Sequence, residues 1–166
     1  SLRAYCYDVA STVGLWLTEL FGVHDPETLE RAAELGVAMQ LTNIVRDVGE
    51  DCARGRLYLP HDLMRAHGIT PMMIDDWVVR KTQRLPAAYW ALIEEIMIHA
   101  EHGYSRAGEA IPRLPSFFRP AVAAASRLYR AIHSAVRANR YDNITRRATV
   151  PAAYKLAVAR EIMANH

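Results

Sequence analysis

Five prolines stand where helices should begin. Asp25-Pro26 and Thr70-Pro71 pair a capping side chain with proline at the first helical position. Pro86, Pro120 and Pro151 head further apolar-periodic segments. Proline costs nothing there, because first-turn N–H groups lack an intrahelical acceptor. Gly22 and Gly68 supply stop signals. Between these marks apolar residues recur every three or four positions, and nothing alternates with period two long enough to form a strand. The chain therefore predicts an all-α fold. Helices are expected over 2–21, from Pro26 to about residue 50, over 61–67, from Pro71, from 86 to about 110, from 120 to about 140, and from Pro151. "ARGRLYLP" (53–60) and "AIPRLPSFFRP" (110–120) read as connections.

At 166 residues the chain is long enough for one domain with its own core. Its net charge of +2 conceals an asymmetry: from residue 101 onward there are eleven Lys/Arg against Glu101, Glu109, Asp142 and Glu161. That excess suits an anionic ligand, an acidic membrane surface or nucleic acid, and a solvated basic helix face accounts for it equally well. No nucleic-acid-binding motif accompanies it, so nucleic acid is not the expected partner. Cys6 and Cys52 are too few for a disulfide framework or a zinc site, which fits a reducing compartment. No run reaches the ~18 apolar residues that span a bilayer.

The most informative stretch is "LTNIVRDVGED" (41–51). On a helix of 3.6 residues per turn, Val37, Leu41, Ile44 and Val48 form an apolar stripe. Gly36, Gln40, Asn43, Asp47, Glu50 and Asp51 form a second stripe beside it, within roughly 100–120° of arc. An ordinary solvated face mixes charge signs, whereas this one carries two amides, three acids and no base. Asp47 and Asp51 stand one turn apart, and sheltered carboxylates at ~6 Å repel by ~2–3 kcal/mol at an effective dielectric of about 20. A hard cation would offset that repulsion. Mg²⁺ takes one or two carboxylates and fills its octahedron with water and phosphate oxygens. The pattern points to a metal–phosphate site, with a solvated acidic face as the alternative.

Three stretches together resemble one family. "QLTNIVRDVGEDCARGRLYLP" (40–60) resembles the second aspartate-rich motif of the squalene/phytoene synthases. "YCYDVASTVG" (5–14) resembles that family's YCYxVAGTVG, and "YDNITRRATVP" (141–151) its YDxxTRRAYVP. The VGED form and the TRRA stretch are closer to the phytoene synthases than to the squalene synthases. The resemblance implies an isoprenoid-synthase helical bundle and Mg²⁺- or Mn²⁺-dependent head-to-head condensation of two prenyl diphosphates. Geranylgeranyl diphosphate to phytoene is the expected reaction. Squalene or hydroxysqualene synthesis from farnesyl diphosphate is the near alternative, and a non-catalytic binding or assembly relative the more distant one.

Carried over residue by residue, the resemblance makes Asn43, Asp47 and Asp51 the metal ligands, with both aspartates catalytic. Gln40 and Arg46 would contact diphosphate from the same helix. Tyr5 and Val9 would line the substrate site, and Tyr129 and Arg146 would sit at the diphosphates, Tyr129 counted as catalytic. Ser11 departs from the family's usual glycine, a change expected to tighten helix packing. The family's first aspartate-rich motif has no counterpart here: "IDDW" (74–77) lies on the wrong side of the second motif. The expectation is that residues 1–166 are the C-terminal part of a single synthase domain. A missing N-terminal part would carry the first motif, and the chain alone would expose apolar surface and self-associate. The apolar substrates imply loose, peripheral membrane attachment in the cytoplasm, or in a plastid if the source is a plant.

Overall fold

The computed structural model describes residues 2–164. The elements are α1 (Leu2–Cys6), a π-helical turn (Tyr7–Ser11), α2 (Thr12–Leu20), α3 (Pro26–Arg46), α4 (Val48–Ala53), α5 (His61–Ala66), α6 (Pro71–Arg80), α7 (Ala87–Ala110), a 3₁₀ turn (Ile111–Arg113), α8 (Arg119–Ala138) and α9 (Ala152–Ala164). There is no strand among the described residues. The proline punctuation falls where expected. The Asp25 carboxylate accepts from the Thr28 N–H at 2.9 Å, and the Thr70 hydroxyl accepts from the Met73 N–H at 3.2 Å.

Two expectations on helix continuity fail. The first helix is not regular: its residues 7–11 widen into a π turn. The second does not run through to residue 50 but breaks at Asp47, whose φ and ψ of −108° and 15° leave the helical region. The cause of that break lies in another part of the chain.

The long helices α3 and α7 pair most extensively and carry the core. Leu41, Ile44 and Val45 of α3 meet Leu92, Ile93, Ile96 and Ala100 of α7, all buried. The segment from α1 to α2 crosses α3 at unusually close range. A Cβ at Gly36 would lie 2.7 Å from the Ser11 Cα, so only glycine admits this crossing. Ser11, wholly buried, adds a hydrogen bond from its hydroxyl to the Ala33 carbonyl at 2.6 Å. The tightening expected at this position is therefore a specific clamp. It also removes Gly36 from the polar stripe, since Gly36 faces a helix and not the site.

The outer face of that segment is uncovered. Val9, Val13, Trp16 and Leu20 recur at helical spacing, with 47%, 57%, 64% and 61% of their surface exposed.

Candidate acidic site at the junction of α3 and α4

The residues of the acidic motif come together where α3 ends and α4 begins. Asn43 is on the last turn of α3. Its Nδ2 donates to Gln40 Oε1 at 3.3 Å, and its Oδ1 is buried with no hydrogen-bond partner. A buried acceptor without a donor costs about 1–3 kcal/mol, so such an atom is kept where something else engages it. Asp47, at the break, is held by two guanidiniums. Arg46 donates to it through Nε at 2.8 Å and through a second nitrogen at 2.5 Å, and Arg147 donates from Nε at 2.8 Å. Burial would raise the Asp47 carboxyl, but Arg46 and Arg147 override it and hold the group below its ordinary value. Asp51, a turn into α4, goes the other way: burial and the neighbouring Asp47 charge raise it, against Arg54 and Arg56.

These donors fit a hard divalent cation: one orphaned amide oxygen, one carboxylate kept ionised, and one whose ionisation is disfavoured until positive charge arrives. They do not enclose one. Among the described residues no three His, Cys, Asp or Glu side chains converge as a metal cage. A cation here would be completed by water and by oxygens of a ligand.

The remaining sequence candidates divide. Tyr5 is at the site: its ring stacks on Tyr58 at 5.2 Å, and a hydrogen bond with Tyr58, then burial and the Asp51 charge, raise its phenol. Val9 is on the uncovered stripe of the π turn. Tyr129, on α8, is half-buried against the core, and none of the hydrogen bonds described involves its hydroxyl. Arg146 does not reach the acids. It lies 4.0 Å from Asp142, with 64% of its side chain exposed, in a cleft between α8 and α9 shared with Arg127, Arg130 and Arg147. Arg147 takes the place next to Asp47 and lies 3.6 Å from Glu50. "IDDW" makes no second acidic site: Asp76 pairs with Arg80, and Asp75 accepts from the Cys52 thiol. Both cysteines are free.

Three groups that sequence reasoning passed over support this junction. Asn143 and Tyr89 sit beneath the break, and Arg147 above it. Gly49 was the available signal for the first two. A Cβ there would lie 2.0 Å from the Ile144 carbonyl oxygen, so its absence marks where another segment presses on the motif. A second buried network braces α3 one residue before Asn43. The Thr42 hydroxyl donates to the Ala38 carbonyl and contacts the Tyr104 hydroxyl at 2.8 Å and His133 Nε2 at 2.9 Å. From His133 the chain of contacts continues through Glu101, Arg137 and Glu94 to Tyr141, at the head of the same loop that carries Asn143 and Arg147.

Comparison with known proteins gives a consistent neighbourhood. The profile of the squalene/phytoene synthase family matches residues 1–154. A phytoene synthase of Rhodobacter capsulatus is 40% identical over 157 residues, covering 93% of this chain and 44% of that protein. One from Thermus thermophilus is 41% identical over 151 residues, covering 91% and 50%. A chloroplastic phytoene synthase of Daucus carota is 40% identical over 162 residues, covering 93% and 39%. The chain thus spans about half the length of these curated relatives, or less. Among solved structures, a dehydrosqualene synthase with bound ligand superposes with a TM-score of 0.83 at 34% identity, covering 99% of this chain and 56% of that one. A squalene synthase from Alicyclobacillus acidocaldarius shares the fold, with a TM-score of 0.77 at 24% identity, covering 84% and 51%.

Proposed function

The chain belongs to the squalene/phytoene synthase family, and on that premise we propose that it supplies the second acidic half of a prenyltransferase joining two prenyl diphosphates head to head. Geranylgeranyl diphosphate is the proposed substrate and phytoene the product. The observation that carries the reading is the unpartnered, buried Asn43 Oδ1 beside Asp47 and Asp51. A motif kept only to face water would satisfy that oxygen.

Asn43, Asp47 and Asp51 would hold Mg²⁺, or Mn²⁺ in its place. When bound, the cation supplies the positive charge that offsets a departing diphosphate. The protein's own groups do the rest. Arg46 and Arg147 flank Asp47 and would donate to diphosphate oxygens once the carboxylate is otherwise engaged. Gln40 fixes the Asn43 amide so that its oxygen stays free. Tyr5, stacked on Tyr58, closes one side of the acids, and Tyr129 offers an uncommitted hydroxyl. Val9 would contribute to an apolar wall excluding water from an allylic cation. Arg146 is assigned to the diphosphates through its cleft with Arg127 and Arg130.

The other half of the site, with a first aspartate-rich motif, is proposed to come from an upstream part of the protein covering the uncovered stripe, residues 1–166 being the C-terminal part of one domain. Substrates and product are hydrocarbons at one end or throughout, so the complete enzyme is proposed to work at a membrane surface, in the cytoplasm or in a plant plastid. No helix among the described residues is long and apolar enough to cross a membrane.

A second reading has its own support. The likeness to a dehydrosqualene synthase favours farnesyl diphosphate as substrate. Incubating this chain, alone and joined to its upstream sequence, with each diphosphate and Mg²⁺ separates the readings. Phytoene from the joined protein supports the first, and a C30 product the second. No turnover of either overturns the enzymatic reading and leaves a binding or assembly role.

A further inference from the structure

We propose that Asn143 is a positioning residue for the acidic site, splicing a distant loop into the break between α3 and α4 so that Asn43 and Asp47 are held in register with Asp51. The inference rests on the metal reading of that site given above.

In an unbroken helix the Gly49 N–H would donate to the Val45 carbonyl. Here both partners turn to Asn143. The Gly49 N–H donates to the Asn143 backbone carbonyl at 3.0 Å, and Asn143 Nδ2 donates to the Val45 carbonyl at 2.6 Å. One residue thus provides the acceptor and the donor that the break would strand. The turns on either side stay helical: the Asp47 N–H donates to the Asn43 carbonyl at 2.9 Å and the Asp51 N–H to the Asp47 carbonyl at 2.8 Å. The break therefore lies between these two turns, at the residue that separates Asn43 from Asp51.

The splice is rigid because Asn143 has no freedom of its own. Its Oδ1 accepts from the Tyr89 hydroxyl at 2.6 Å, with Tyr89 wholly buried on α7. The loop around it is locked by Asp142, which accepts from the Thr145 N–H and hydroxyl at 2.9 and 2.6 Å. The same loop delivers Arg147 to Asp47. Asn143 therefore fixes both the backbone beneath Asp47 and the approach of the cation that guards it. Groups of this kind, behind the ligands, typically change metal affinity 10- to 100-fold when altered.

The test is Mn²⁺ affinity of the full protein by electron paramagnetic resonance, with inorganic diphosphate present, alongside amide exchange at Gly49 and thermal melting. Asn143→Asp keeps an acceptor for Tyr89 but sets a carboxylate oxygen against the Val45 carbonyl. It is expected to weaken Mn²⁺ about 10-fold and to speed Gly49 exchange. Tyr89→Phe removes only the hydroxyl; it is expected to weaken Mn²⁺ about 3-fold, and it decides the matter if Asn143→Asp does not fold. A folded variant with lower melting temperature but unchanged Mn²⁺ affinity assigns Asn143 a structural role and overturns the proposal. If the unaltered protein takes up no Mn²⁺, the metal reading fails and this inference fails with it.

Discussion

Arg147 donates from Nε to Oδ1 of Asp47 at 2.8 Å across 100 residues of sequence, while its neighbour Arg146 lies 4.0 Å from Asp142 and makes no contact with Asp47. The two arginines should therefore respond differently to removal. Arg147→Ala is expected to raise the Asp47 carboxyl toward its ordinary value and to lower kcat/KM of the complete enzyme at least about tenfold, the loss of one charge-assisted contact at ~1.5 kcal/mol or more. Stability should fall by under ~1 kcal/mol, because the side chain is nearly half exposed. Arg146→Ala should leave the Asp47 titration, followed by NMR, unmoved. A shift as large as that from Arg147→Ala would mean that both arginines act on Asp47.

Asp51 is raised by burial and by Asp47, which fixes the sign of a pH effect. A carboxyl whose folded pKa lies above its unfolded value makes the folded state bind protons more tightly. Its contribution is most favourable at pH below the unfolded value and is lost as pH rises through the folded one. At neutral pH, without metal, ionised Asp51 therefore works against the fold. Asp51→Asn is expected to raise the metal-free melting temperature by about 1–3 °C, relief of under ~1 kcal/mol at a partly exposed site. It should also abolish the extra stabilisation that Mg²⁺ gives the unaltered protein. Asp47→Ala should abolish turnover with the helix content intact by circular dichroism. A melting temperature that drops for Asp51→Asn would contradict the repulsion argued here.

How much of this was legible beforehand divides along one physical line. Helix starts were legible because Asp25-Pro26 and Thr70-Pro71 act through bonds to residues three positions away. The acidic motif was legible because its residues sit within one local stretch. The break at Asp47 was not, because Asn143, almost a hundred positions downstream, makes it, and no local pattern encodes that pairing. That Arg147 and not Arg146 contacts Asp47 was hidden for the same reason. Two adjacent arginines look alike until the fold gives them different acidic partners, Asp142 for Arg146 and Asp47 for Arg147. Gly49 and Gly36 were visible as glycines, but only the Ile144 and Ser11 backbones show what their missing side chains make room for.

Thr42 is the hub of the network behind Asn43. Its hydroxyl lies within hydrogen-bond distance of the Ala38 carbonyl, the Tyr104 hydroxyl and His133 Nε2, so one group serves three buried partners. Thr42→Val keeps the volume and removes the hydroxyl, leaving the buried Tyr104 hydroxyl and His133 Nε2 without this partner. The expected cost is about 2–4 kcal/mol by urea unfolding, from ~1–3 kcal/mol per stranded group. A cost below ~1 kcal/mol would show that water or rearrangement satisfies Tyr104 and His133 without it.

Ser11 and Gly36 define a contact whose two partners should fail in different ways. Ser11→Ala loses only the hydrogen bond to the Ala33 carbonyl, at about 1 kcal/mol. Gly36→Ala drives a Cβ to within 2.7 Å of the Ser11 backbone, which cannot swing aside as a flexible side chain would. Overpacking of that kind costs about 1–3 kcal/mol or more. Unfolding midpoints should therefore rank the unaltered protein above Ser11→Ala and Ser11→Ala above Gly36→Ala. Equal midpoints for the two variants would mean the helices part easily and the crossing is loose.

The stripe of Val9, Val13, Trp16 and Leu20 predicts how the isolated chain behaves in solution. Scattered exposed apolar residues are ordinary, but four at helical spacing, two of them above 60% exposed, form a continuous seam of the kind that buried helix interfaces use. In water that seam gains about 25 cal/mol for each Å² it covers, so the isolated chain should self-associate through it. Sedimentation velocity at rising concentration is expected to show dimers or larger species. Trp16→Glu with Leu20→Lys should return the chain to monomer, because both charges would otherwise enter the seam. In a protein carrying an upstream part that covers the seam, the same pair of changes should destabilise the fold instead. If the isolated chain stays monomeric without those changes, the stripe is not a contact surface, and the proposed cover by an upstream part loses its main structural support.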